Sequence, residues 1–276
     1  ANNYTTVARF SDPNSGAHWY TADFTINTAG TPLPAGPANT IAHYSFDNTF
    51  DDSTANMLHA NPGAWGSPEF NVDDKQFGTA SADFEADNLE HLFVRHDSAL
   101  ANLDNMTIAM WLKPESWDGS RRIFQKGGDD ELSLMHNIGR GWLYSANEGN
   151  DLEAAETEAF LPLGEWHHIA LVVDGDNDLM ELYKDGIKSA SVGLGGSGVS
   201  STLAPLWIGH KDGGTSNGDN FDGLMDELFI YDDALNAAQI NNLMNFNTPV
   251  PEPSTFALLA IGAVGLIVYW RRRKAA

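Results

Sequence analysis

From Thr40 onward, short runs rich in β-branched and aromatic residues alternate with Gly, Asp and Asn turns, a spacing that excludes long helices and demands paired sheets. Met106-Thr-Ile-Ala-Met-Trp-Leu-Lys-Pro114 is a strand stopped by proline. Trp166–Val173 and Leu179–Lys184 flank an Asp-rich connection and form a hairpin, and Asp185-Gly186 supplies the tight turn that follows. Leu206–Gly209 and Gly223–Tyr231 add strands. Only Asp232–Asn245 has a helical period. Asp232 or Asp233 is expected to cap it, and Leu235, Ile240, Leu243 and Met244 form its apolar stripe. Many short strands with one late helix predict an all-β sandwich.

The chain ends differently. Pro251-Glu252-Pro253-Ser254 leads into an uncharged apolar run from Thr255 to Trp270, closed by Arg271, Arg272, Arg273 and Lys274. At about 1.5 Å per residue that run reaches roughly 24 Å against a hydrocarbon core of about 30 Å, and Tyr269, Trp270 and the arginine stems can bridge the rest at the interface. A single transmembrane helix is therefore expected, with the cations cytoplasmic and everything before Pro251 outside. Export implies a cleaved leader ahead of Ala1. Cysteine is absent, which removes disulfides, thiolate metal sites and cysteine nucleophiles.

Four parts follow. Residues 1–38 form an extended arm, with strands expected at Asn3–Arg9 and Ala22–Asn27, ending in the Pro-rich linker Thr31–Ala38. Residues 39–246 form the sandwich, 247–254 a Pro-rich juxtamembrane linker, and 255–276 the helix and basic tail. The net charge is −23, and the tail holds four of the 15 cations and one of the 38 acids, so the part before it is more acidic still. Such a field repels nucleic acid.

The tail resembles the PEP-CTERM sorting signal of Gram-negative bacteria, in which motif, helix and basic cluster occur in this order. The resemblance implies an exosortase-type protease as partner, a bacterial inner-membrane location with a periplasmic ectodomain, and sorting to the cell surface. The main part resembles the laminin-G-like, concanavalin A-like jelly rolls. The residues that carry the likeness include His43-Tyr-Ser-Phe-Asp-Asn with Asp51-Asp-Ser53, Phe77–Phe84, Thr107–Pro114, Trp166-His-His-Ile-Ala170, Leu182–Gly186, Leu206–Gly209 and Phe221–Asp232. It implies one structural Ca²⁺ on Asp47, Asp52 and Asp226, with Asp51 as a substitute for Asp52 if the loop is shifted.

Glu85-Ala-Asp87-Asn-Leu-Glu90 spells E-x-D-x-x-E, the carboxylate spacing of laminarinase-type glycosidases on this sandwich, but Ala86-Asp87-Asn88 suits a turn better than a strand. Asp174–Asp178 imitates a calcium loop but lacks the glycine and the glutamate of an EF-hand. His167 and His168 are adjacent on a strand and point to opposite faces. Trp19, Trp65, Trp117 and Trp142 lie near expected turns and are the candidate ligand contacts. These observations favour a non-catalytic, exported, membrane-anchored module that binds or scaffolds carbohydrate or protein. The alternatives are a structural accessory subunit of a respiratory or photosynthetic inner-membrane complex, held by its arm and helix, and a laminarinase-type glycoside hydrolase.

Overall fold

The computed structural model describes residues 5–10, 20–25, 40–101, 103–127, 132–137, 142–147, 150–156, 161–195, 203–211 and 220–245. Strands β1 (Thr5–Phe10) and β2 (Tyr20–Thr25) pair antiparallel, with Thr5 opposite Thr25 and Phe10 opposite Tyr20. Both strands expected in the arm exist, offset from the sequence-based boundaries by one to two residues.

Among the described residues, fifteen strands and one α-helix build the sandwich. They are β3 (Thr40–Tyr44), β4 (Ala60–Pro62), β5 (Glu69–Asn71), β6 (Ser81–Phe84), β7 (Leu92–Val94), β8 (Asn105–Pro114), β9 (Arg121–Lys126) and β10 (Leu132–Asn137). Then come β11 (Trp142–Asn147), β12 (Asn150–Glu156), β13 (His167–Asp174), β14 (Leu179–Lys184), β15 (Ile187–Gly193), β16 (Leu206–Ile208), β17 (Gly223–Tyr231) and α1 (Ala237–Met244). One sheet runs β12-β11-β10-β9-β16-β7-β4 and the other β15-β14-β13-β8-β17-β6-β5, with β3 also paired to β17. Strands distant in sequence are thus neighbours, as in a jelly roll.

Period-2 alternation explains the layers. On β13, Ile169, Leu171 and Val173 face the core between the sheets, while Ala170 and Val172 face outward and join Tyr183, Phe229 and Tyr231 beneath Leu235, Ile240 and Leu243 at α1. The eight-stranded sheet is therefore apolar on both faces where the helix covers it, which is why β13 reads as an unbroken hydrophobic run.

The helix starts later than the sequence predicts. Thr107 Oγ1 donates to Asp233 O and accepts from Leu235 N, tying residues 233–235 to β8. Asn236 is therefore the N-cap, not Asp232 or Asp233, and it forms a reciprocal capping box with Gln239. Residues 255–276, including the expected span, lie outside the described residues, among which no helix is long and apolar enough to cross a membrane.

Candidate functional site

The outer face of the seven-stranded sheet brings together polar and aromatic side chains. Leu206 and Ile208 point into the core from β16, so Trp207 between them points out. Its cross-strand neighbours Phe93 on β7 and Gln125 on β9 share that face. On β10, Leu132 and Leu134 face the core, which turns Ser133 and Met135 outward. A bulge then places Arg122 opposite Met135, and Asn220 bridges Arg122 on the same face.

Trp207 and Phe93 are half-buried and pack at a ring distance of 5.6 Å. Gln125, opposite Trp207, and Asn220, next to Arg122 on the same face, are 0% exposed although they point away from the core. Each amide spends its NH₂ group on the chain, Gln125 Nε2 on Gly127 O at 2.9 Å and Asn220 Nδ2 on Glu90 O at 3.2 Å. Gln125 Oε1 and Asn220 Oδ1 have no hydrogen-bond partner among the described residues. These are two buried, unpaired carbonyl oxygens on one face, that of Gln125 beside the aromatic pair, and each has unused acceptor capacity. Sequence reasoning missed all four. Trp207 sits mid-strand and reads as packing, and Gln125 and Asn220 lie far apart in the chain.

The residues implied for calcium are placed otherwise. Asp52 Oδ1 accepts from the main-chain N–H groups of His43 and Thr54, and its Oδ2 accepts from Leu58 N and Thr54 Oγ1. Asp226 Oδ2 accepts from Gln76 and Phe77 N, and its Oδ1 from Glu227 N. Asp47 Oδ1 accepts from the main-chain N–H groups of Thr79 and Ala80 and from Thr79 Oγ1. Asp51 is exposed and sits 3.1 Å from His59 Nδ1. Each of the three carboxylates is thus hydrogen-bonded to main-chain N–H groups of the loops it ties together.

Among the described residues, the acids that do converge are Asp83, Glu85 and Glu115, with ligand atoms within 4.8 Å. They meet because the ends of β6 and β8 flank the start of β17. Burial, with the charges of Asp222 and Asp83, raises both Glu85 and Glu115. Glu85 and Glu115 are exposed, and such a cluster is ordinary at a solvated rim.

The E-x-D-x-x-E segment is a turn, as its residues predict. Ala86–Asn88 form one 3-10 turn and Leu89 is left-handed at φ 58°. Glu90 folds back, its Oε2 accepting from Glu85 N and its Oε1 from Asn88 Nδ2. Both of its oxygens are thereby committed to holding the turn. Asp174–Asp178 is likewise a hairpin turn, in which Asp174 accepts from Asn177 N and Nδ2.

Of the four tryptophans, Trp65 is 55% exposed. Trp117 corrects the expectation of a surface contact. It is 6% exposed, its indole N–H donates to Leu161 O at 3.0 Å, and its ring packs against Phe221 and His136. Its proximity to an expected turn misled, because the ring folds back under the sheet. Trp142 opens β11, where only the backbone is described, and Trp19 lies outside the described residues. Pro251, Glu252, Pro253, Tyr269, Trp270, Arg271, Arg272, Arg273 and Lys274 lie outside them too.

Comparison with known proteins agrees with this architecture. Residues 249–274 match the PEP-CTERM protein-sorting motif. No curated protein matches the chain. Among solved structures, it is similar to Domain 4 of AbnA, a GH43 extracellular arabinanase from Geobacillus stearothermophilus, in complex with arabinotriose. That similarity has 24% identity and a TM-score of 0.56, covering 75% of this chain and 98% of the other. It is also similar to the binding domain of botulinum neurotoxin DC, solved in complex with SialylT (12% identity, TM-score 0.55, covering 75% and 51%) and with rat synaptotagmin II (12%, 0.58, covering 77% and 52%). The chain spans about half the length of that toxin domain, and all of these likenesses show the fold alone. Residues 90–241, more than half of the chain, match the model of one family. The chain belongs to the concanavalin A-like lectin/glucanases superfamily.

Proposed function

We propose that this chain is an exported binding module that holds a neutral saccharide on the outer face of its seven-stranded sheet. The observation that carries the reading is the pair of buried, unpaired carbonyl oxygens on Gln125 and Asn220, on the sheet face that carries the rings of Trp207 and Phe93. An unmet buried acceptor costs about 1–3 kcal/mol, which a sugar hydroxyl recovers on binding, while the apolar face of the pyranose or furanose covers an indole. The net charge of −23 disfavours polyanionic glycans. A sugar-complexed relative of the same fold, the arabinanase domain, supports this class of ligand.

The sorting motif supports delivery to the cell envelope, with the tail holding the protein at the inner membrane until an exosortase-type protease acts. Both carboxylate oxygens of Glu90 are engaged in its own turn, which favours binding over glycoside hydrolysis. Calcium on Asp47, Asp52 and Asp226 is a separate proposal. A chelator that lowers the melting temperature supports it, and an unchanged melting curve removes it.

Titration calorimetry against neutral oligosaccharides, arabino-oligosaccharides first, tests the binding reading. Trp207→Ala and Gln125→Leu are each expected to weaken binding about tenfold, a loss of roughly 1.4 kcal/mol. Binding that survives both substitutions unchanged would remove this face as the site.

A further inference from the structure

Ser53, His43 and Glu227 come from a loop, β3 and β17 and form one hydrogen-bonded line. Glu227 is 4% exposed, and its Oε2 lies 2.5 Å from His43 Nε2. On the other side of the ring, His43 Nδ1 lies 2.8 Å from Oγ of the exposed Ser53. Phe229 stacks on the imidazole at 3.9 Å between centroids and 3° between planes, which fixes the ring. Glu227 is held at φ 50°, a left-handed conformation that costs energy for a residue with a side chain. It occurs where β17 shifts register against β8, between Asp226 and Phe229, and the shift delivers the carboxylate to His43.

The chemistry follows from the protons. In the tautomer that donates Nε2–H to the Glu227 carboxylate, Nδ1 accepts the Ser53 hydroxyl hydrogen. A serine bonded to a base that is oriented by a buried carboxylate is the arrangement that activates an oxygen nucleophile. We infer that Ser53 is a base-activated nucleophile that takes an acyl group from activated esters at the protein surface. Its Oγ forms a bond to the ester carbonyl carbon while its proton passes to His43 Nδ1. The tetrahedral intermediate then breaks the bond to the leaving alkoxide, which takes that proton from His43 and departs as the alcohol, leaving an ester on Ser53.

The neighbouring amides decide how far this goes. Ser53 N donates to His43 O at 2.9 Å and Thr54 N donates to Asp52 Oδ1 at 2.9 Å, so neither is available to a developing oxyanion. One missing oxyanion donor costs about 10²–10³ in rate and slows both acylation and hydrolysis, but the activated ester has a good leaving group and the acyl-serine a poor one, so attack by water is the slower step and the ester accumulates. Ser53 is thus an acyl-acceptor site and not the centre of a fast hydrolase.

The test treats the full chain with p-nitrophenyl acetate and follows intact mass and peptide mapping. One acetyl group per chain on Ser53 is expected. Ser53→Ala, an exposed substitution, removes it while melting temperature and saccharide binding stay unchanged. His43→Gln slows it about 10²-fold, the usual contribution of a positioned base. Acetylation absent from Ser53, or equally fast in His43→Gln, would make the line a structural network only and overturn the inference. The saccharide reading stands or falls separately, since it concerns the other sheet.

Discussion

Asp52 organises a loop with one carboxylate: three main-chain N–H groups and the Thr54 hydroxyl converge on it. Asp52→Ala strips these groups of their acceptor and is expected to destabilise the fold by about 3 kcal/mol or more, measurable by denaturant unfolding. The acid at this position is legible from sequence, but its duty is not, because the amides it serves are identified only by folding. A second residue-scale prediction concerns Trp111, which has Asp226 opposite on one neighbouring strand and His168 opposite on the other. Burial pushes His168 down to about 4, against a smaller opposing pull from Asp185. Burial pushes Asp226 up to about 7, with the Glu227 charge adding to it and three main-chain N–H groups opposing it. The unfolded chain protonates histidine near 6.5, so the stability tied to neutral His168 is complete above about pH 6.5 and is lost as pH falls toward 4. Asp226 has the opposite sign. The folded state keeps its proton where the unfolded state has lost it, so stability falls as pH rises from about 4 to 7. Each slope amounts to roughly 3–4 kcal/mol across the window, and in the parent protein they largely cancel. Asp226→Asn should therefore unmask loss of stability on acidification, and His168→Phe loss on raising pH. Melting curves between pH 4 and 7 that are flat in both variants would contradict this pairing.

At the level of elements, the turn chemistry was the most readable part. Asp185-Gly186 adopts left-handed angles at both positions, φ 49° and 77°, as its residues predict for a tight hairpin. A side chain at Gly186 would also meet Asn241 Oδ1 of α1 at 2.3 Å. Gly186→Ala is expected to cost about 1 kcal/mol or more through its backbone angle alone, read as a lower melting temperature. Helix existence was readable from the stripe Leu235, Ile240 and Leu243, whereas its start was not. Two aspartates and an asparagine have equal claims to a cap, and the choice is made by Thr107, 129 positions before Asn236. Asn236→Ala, which breaks the capping box, should lower stability by about 1 kcal/mol, and the same change at Asp232 should not.

Across the whole molecule, the alternation of apolar and polar residues specifies two packed sheets, but a jelly roll assembles its surfaces from strands far apart in the chain. The sequence therefore pointed to tryptophans beside turns, of which Trp117 is buried, and passed over Trp207 in the middle of β16. The carbonyl groups of Gln125 and Asn220 become a pair only when β9 lies between β10 and β16 and Asn220 bridges Arg122. The central claim is that this assembled face holds a saccharide. Hydrogen–deuterium exchange with and without a saturating neutral oligosaccharide tests it most directly, because it reports which strands become protected. The account predicts protection confined to residues 92–94, 121–126, 132–137, 206–210 and 220–221. Protection instead at residues 85–90 and 222–224, around the acidic rim, or no change on the seven-stranded sheet, would contradict it.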